Sequence, residues 1–151
     1  MQIMKIPEKI LTKKVELVDT EKVKKGEYDS LFSDMKKAMK ENSGIGLAAN
    51  QVGKDLAIFV IDEEIARENK VPEIYINPEV TEYSRDKDEM EEGCLSIPEY
   101  YAPIHRSKKI KIKAVDEKGN KIKFKAKGLL ARILQHETDH LNGTTIKDRA
   151  Q

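Results

Sequence analysis

The sequence predicts an α+β fold, a compact single domain over residues 1–151, and three observations predict it. Two stretches repeat apolar residues at helical spacing, two short runs are rich in β-formers, and two segments alternate lysine with apolar residues around a turn. In chain order, Tyr28, Leu31, Phe32, Met35, Ala38 and Met39 recur at three- and four-residue steps and predict an amphipathic helix over 26–41. Ser43 and Gly44 end it and open the loop Gly44-Ile45-Gly46. Ala57-Ile58-Phe59-Val60-Ile61 and Ile74-Tyr75-Ile76 predict strands, the second closed by Asn77-Pro78. Lysines alternate with Ile110, Ile112 and Ala114 over 109–115, and with Ile122, Phe124 and Ala126 over 121–126. With Glu117-Lys118-Gly119-Asn120 between them, these segments predict a hairpin with one buried face and one solvated lysine face. The stretch Tyr100-Tyr101-Ala102-Pro103-Ile104 before His105 reads as loop. Gly128 precedes a second helical pattern that runs to Gly143, a residue suited to the left-handed conformation after a helix. On that helix Leu129, Ile133, His136, Glu137 and His140 share one side, while Leu130, Leu134 and Leu141 line the adjacent stripe, which predicts buried histidines.

Composition narrows the function. No internal repeat or linker divides the chain, and its length suffices for one core without disulfides. Charged residues make up 36%, yet 28 Lys plus Arg stand against 27 Asp plus Glu, a net of +1. That balance gives no sign of a nucleic-acid arm or a polybasic membrane patch, so neither partner is expected. A single cysteine cannot form an internal disulfide and suits a reducing compartment. No apolar run approaches the roughly 18 residues of a membrane span, and MQIMKIPEKI lacks a secretory core. The expectation is a soluble intracellular protein.

The chemistry concentrates in three segments. In QHETDHLNG, His136 and His140 are one helical turn apart, so both rings can grip one cation while Glu137 reaches its bound water. Two imidazoles leave a catalytic metal underheld, and Cys94 in EGCLSIP is the candidate third ligand. Taken alone, Cys94 also reads as an inert buried thiol. The glycine-rich stretch GIGLAANQVG permits close approach of a ligand's backbone, or is a turn with tight packing behind it. It lacks the spacing of a phosphate-binding loop.

In order and spacing, GIGLAANQVG, EGCLSIP and QHETDHLNG resemble the three motifs of the peptide deformylases, and MKIPEKILTKKVELV resembles that family's opening segment. The resemblance implies a compact fold whose metal helix is packed between β-sheets. It also implies a hydrolase of protein N-terminal processing that removes the formyl group from formyl-methionyl nascent peptides. By the same resemblance Cys94, His136 and His140 hold one divalent metal with water as fourth ligand, and that water attacks the formyl carbon with Glu137 as general base and then acid. Fe(II) is the implied native ion, with Zn(II), Ni(II) or Co(II) able to occupy the site in purified protein. The Gln51 amide and the Leu95 backbone N–H fall on the family's donors to the oxygen that gains charge. Gly44, Ile45, Gly46, Glu92 and Gly93 fall on its substrate-binding segments, with Ile45, Leu129 and Ile133 placed for the methionine side chain or for the core. Glu92 and Arg106 are expected either to orient a ligand or to form an ordinary ion pair.

Many bacterial members continue past the metal helix into an extension that docks on the ribosome, whereas only Thr144 to Gln151 follow Gly143 here. The ribosome stays a candidate partner, reached without that long extension. The remaining expectations are a monomer in the cytoplasm of a bacterium or, for a phage-borne gene, of its host. Two rivals are weighed against this reading. A zinc peptidase would use the same helix, but a ligand on its C-terminal side has only eleven residues to come from. A closed structural zinc site would need His105 as fourth ligand and would leave Glu137 and Gln51 unexplained.

Overall fold

A computed structural model describes residues 1–150. The helices are α1 (Thr20–Lys24), α2 (Asp29–Glu41), α3 (Glu63–Asn69), α4 (Gly128–Leu141) and α5 (Ile146–Arg149). The strands are β1 (Gly46–Ala48), β2 (Ile58–Ile61), β3 (Ile74–Tyr83), β4 (Lys87–Cys94), β5 (Ile97–Ser107), β6 (Lys109–Val115) and β7 (Lys121–Lys127). An antiparallel five-stranded sheet runs β1-β2-β3-β6-β7, and β4 and β5 form a separate two-stranded sheet.

The unbroken apolar run of β2 is explained by helices on both faces of the large sheet. Ile58 and Val60 face Phe32, Met35 and Met39 of α2, whereas Phe59 and Ile61 join Ile133, Leu134 and Leu141 of α4 on the other side. A strand buried on both faces has no polar alternation to show. At β6 and β7 only the α4 side is covered, so Ile110, Ile112 and Ala114 are buried and the lysines between them are not. The β4–β5 hairpin packs Ile97, Ala102 and Ile104 against Ile146 of α5. Helix α4 touches both β5 and the strands of the large sheet, so it lies between the two sheets.

Three expectations change. The first long helix starts at Asp29 rather than residue 26, because Gly26 is left-handed (φ 77°) and holds the chain in a turn. Strand β3 continues past Asn77-Pro78 to Tyr83 through an irregularity where Asn77 takes φ 50° and the register shifts. The Asn77 side chain uses this kink to bond both the N–H and the carbonyl of Val18, at 2.8 and 2.9 Å, fastening the N-terminal segment to the sheet. Residues 100–104 are strand, not loop. Pro98 and Pro103 hide it, since prolines are tolerated in a two-stranded ribbon that has only edges. Of the two places left open for Leu129, it takes the cleft: it is 48% exposed, because the first turn of α4 emerges at the cleft mouth.

Gly143 ends α4 as expected, at φ 77°. A Cβ there would sit 2.8 Å from the Lys13 backbone N and the Thr12 carbonyl carbon, so the turn and the N-terminal segment are pressed together. Gly143→Ala therefore incurs both left-handed strain and backbone overlap. A loss of about 2 kcal/mol is expected, read as a lower midpoint of urea unfolding at unchanged slope.

Candidate metal centre

Three elements bring the ligand candidates together. Cys94 is the last residue of β4, where the hairpin turns through Leu95 and Ser96. His136 and His140 stand one turn apart on α4, with ring centroids 5.0 Å apart. One ligand atom from each of the three residues lies within 4.8 Å of the others, and Cys94 Sγ is 3.2 Å from His140 Nε2. Three donors so placed could hold one metal ion and leave a coordination place free.

The His136 ring is fixed from behind. Its Nδ1 lies 2.8 Å from Glu92 Oε1, which turns Nε2 toward the cysteine and the cleft. Glu92 is itself saturated: Arg106 grips it through Nε and Nη2 at 2.8 and 3.0 Å, and Arg132 reaches the same Oε2. Arg106 also bonds Asp139 at 2.7 Å, and Arg149 of α5 holds Asp139 from outside. Burial opposes ionisation of Glu92, but hydrogen bonds from His136 and Arg106 outweigh it and keep its carboxyl well below the usual range. Glu92 lines the cleft and spends its oxygens on His136 and the arginines, which is the orienting arrangement expected as one of its alternatives.

Glu137 is buried beside the ligands, with Oε1 lacking any hydrogen-bond partner. Burial pushes its carboxyl up to about 7. Burial also opposes charge on both imidazoles. On His140 it prevails, aided by the charge of His136, and holds the ring well below its usual value; on His136 the Glu137 charge and the Cys94 and Glu92 bonds raise the ring to about 10. By the protein's own charges alone, the centre therefore favours a positive charge among Cys94, His136 and Glu137. A cation there satisfies the same demand, so the donors fit a metal ion.

Gln51 is oriented rather than free. Its Oε1 accepts from the Ala48 N–H at 3.0 Å, and its Nε2 donates to Ser96 Oγ at 3.0 Å with Cys94 Sγ at 3.6 Å. Neighbouring Asn50 donates to the His140 carbonyl at 2.6 Å, tying this segment to α4. Above the centre opens a cleft of about 700 Å³ lined by Gly44, Ile45, Gly46, Gly93, Leu95, Leu129 and Ile133. Ile45, Met90, Tyr101 and Leu129 expose apolar surface around it. His105 is elsewhere, exposed and 3.1 Å from Glu89, so among the described residues no further histidine or cysteine closes the site.

The sequence model of the polypeptide deformylase family matches residues 1–151. The chain belongs to that family. A peptide deformylase of Dictyoglomus turgidum is 48% identical, covering 99% of this chain and 92% of its own. The crystal structure of peptide deformylase from Thermotoga maritima superposes with a TM-score of 0.89 at 35% identity, covering 99% and 97% of the two chains. A peptide deformylase from Acinetobacter baumannii, determined with Met-Ala-Ser bound, gives 0.88 at 30% identity over 99% and 97%. Polypeptide deformylases are enzymes, and the α+β arrangement described above is theirs.

Sequence reasoning passed over Arg132, Asp139, Ser96 and Arg149. Arg132 was the findable one, since a charge inside the apolar run Leu129 to Leu134 needs a buried partner. Asp139, three residues after His136, carries a similar signal. Nothing in the sequence points to Arg149.

Two outcomes test this geometry. Glu92→Gln is expected to weaken metal affinity by about 10- to 100-fold, measured by competition with a chelating dye, because it replaces the charged acceptor behind His136 with a neutral amide that no longer matches two arginines. A Cβ on Gly46 would lie 2.5 Å from Glu137 Oε2. Gly46→Ala should then displace that carboxylate and lower turnover about a hundredfold while metal content is unchanged.

Proposed function

We propose that this protein removes the formyl group from the N-terminal methionine of newly made peptides, by hydrolysis at the Cys94-His136-His140 centre. The observation that carries the reading is the buried, unpartnered Oε1 of Glu137 at the floor of a cleft beside three metal-ligand side chains. A buried carboxylate oxygen without a donor is costly unless a ligand supplies one.

One divalent cation, held by Cys94, His136 and His140, would supply the positive charge that acidifies water and polarises a carbonyl. A sulfur donor beside two imidazoles disfavours Mg(II) and Ca(II), and Fe(II) is the ion proposed for the native enzyme, with Zn(II), Ni(II) or Co(II) as substitutes. Glu137 accepts a proton at its free oxygen from the attacking water and returns it to the departing amine. The Gln51 N–H, held by the Ala48 bond, and the Leu95 backbone N–H donate to the formyl oxygen as it gains charge. Gly44, Ile45, Gly46 and Gly93 offer backbone to the peptide, whose methionine side chain enters among Ile45, Leu129 and Ile133. Met-Ala-Ser bound to the Acinetobacter baumannii relative is what such a cleft would hold after reaction.

Substrates are met in the cytoplasm, by a monomer. No helix among the described residues is long and apolar enough to cross a membrane.

The test is an anaerobic assay of the iron-loaded protein on formyl-methionyl and acetyl-methionyl peptides. Formate release from the first alone is expected, and Glu137→Ala should lower it by about a thousandfold or more. Gln51→Ala should lower kcat by about 100- to 1,000-fold. Chelation should abolish turnover, and Fe(II) should restore more than Zn(II). Cleavage of internal peptide bonds would replace this reading with that of a peptidase.

A further inference from the structure

The charge balance of the whole chain conceals a sharp local imbalance. In the β6–β7 register Lys109 stands opposite Lys127, Lys111 opposite Lys125, and Lys113 opposite Lys123. Ile110, Ile112 and Ala114, the alternate residues of β6, belong to the core against α4, so the three β6 lysines project from the other side of the sheet. Like charges placed directly across a ladder repel, and three such pairs in succession do not serve the sheet's stability. Lys121 adds a seventh cation on the outer strand.

Acidic side chains compensate only the inner strand. Glu79 meets Lys113 at 3.1 Å and Glu82 meets Lys111 at 3.5 Å. Among the described residues Lys109 and the four lysines of β7 form no ion pair. Seven lysines against these two glutamates leave +5 on the face, so the rest of a chain of net +1 carries −4. A groove of about 500 Å³ follows the same strands, lined by Lys109, Lys111, Lys125 and Lys127 with Glu82 and Ser84.

We propose that this lysine face docks on the phosphate backbone of RNA. An RNA strand carries one negative charge per residue without exception, and its phosphates can lie between facing ammonium groups and remove their repulsion. Seven residues per strand give a face about 20 Å long, and lysines on one side of a strand recur about every 6.7 Å. No arginine or aromatic side chain occupies the lysine positions, so contact is to phosphates and carries no base recognition. An anionic membrane fits less well, because four of the exposed apolar side chains that could enter it, Ile45, Met90, Tyr101 and Leu129, surround the cleft. The choice of RNA rests on the function proposed above, since newly made peptides leave an RNA-rich particle. Docking would use the side of the sheet away from α4 and leave the cleft open.

The full-length protein is titrated against a labelled oligouridylate without peptide substrate, so RNA binding and deformylation succeed or fail separately. Affinity is expected to fall about a hundredfold between about 50 and 200 mM salt, a log–log slope of about −3. Lys109→Gln, Lys123→Gln, Lys125→Gln and Lys127→Gln together should reduce binding at least thirtyfold and flatten the slope, with melting temperature and formyl-peptide turnover retained. The four corresponding arginine substitutions should keep binding. Removing the same charge at Lys9, Lys14, Lys22 and Lys54 should cost no more than about threefold. The proposal is overturned if oligouridylate does not bind at low salt, if the two glutamine variants lose binding equally, or if polyglutamate or phosphatidylserine vesicles bind as tightly as RNA. An aggregating quadruple variant of a protein that binds no RNA would instead assign these lysines to protection of the sheet edge.

Discussion

A single carboxylate, Glu92, joins the two parts of the molecule that make the active centre. It belongs to β4 of the small sheet, yet it bonds His136 and Arg132 of α4 and Arg106 of β5. Burying a charge without partners would be severely unfavourable, so Glu92 fixes the distance between hairpin and helix by requiring both arginines at once. Cys94, two residues further along the same strand, is thereby held against His140. The candidate metal site follows from an ion-pair network that contains, of the three candidate ligands, His136 alone.

The same network explains why α4 can be polar where helices between sheets are usually apolar. Arg132, Gln135, Glu137, Asp139 and His140 are all buried. Each turned toward the hairpin finds a designated partner: Arg132 also bonds the Ile104 carbonyl and Asp88, and Gln135 exchanges two hydrogen bonds with the Ser107 backbone. The opposite stripe, Leu130, Leu134 and Leu141, packs on the large sheet. One helix therefore carries a hydrophobic interface on one side and a polar one on the other, and the polar side builds the centre.

Legibility in the sequence followed from how local the signal was. Helix α4, the β6–β7 hairpin and strand β2 each carry their own periodicity, and their expected limits differ from the observed ones by a residue or two. The ligand set was visible because two ligands share a helical turn and the third is the only cysteine. The β4–β5 hairpin was invisible because β4, Lys87–Cys94, has one apolar residue besides its cysteine and packs through ion pairs. Arg149 lies in a separate segment and meets Asp139 only in three dimensions, so no spacing announces it.

The distribution of satisfied and unsatisfied buried groups separates scaffold from chemistry. Glu92 has a donor for each oxygen and an acceptor role that nothing in the cleft can claim, so it is structural support for His136. Glu137 is as deeply buried, on the same helix and one residue away from His136, yet Oε1 has no partner. Asn50 Oδ1, Tyr75 OH, Thr138 Oγ1 and His140 Nδ1 are also unpartnered, but none of these residues lines the cleft. Only at Glu137 do an orphaned buried oxygen, a place in the cleft lining and adjacent candidate metal ligands coincide. The absence of a side chain at Gly46 maintains that approach, since any Cβ there would occupy the position of the carboxylate. A glycine in the first motif and a glutamate in the third are thus one constraint: the chain leaves Glu137 unbonded and keeps a space for its ligand.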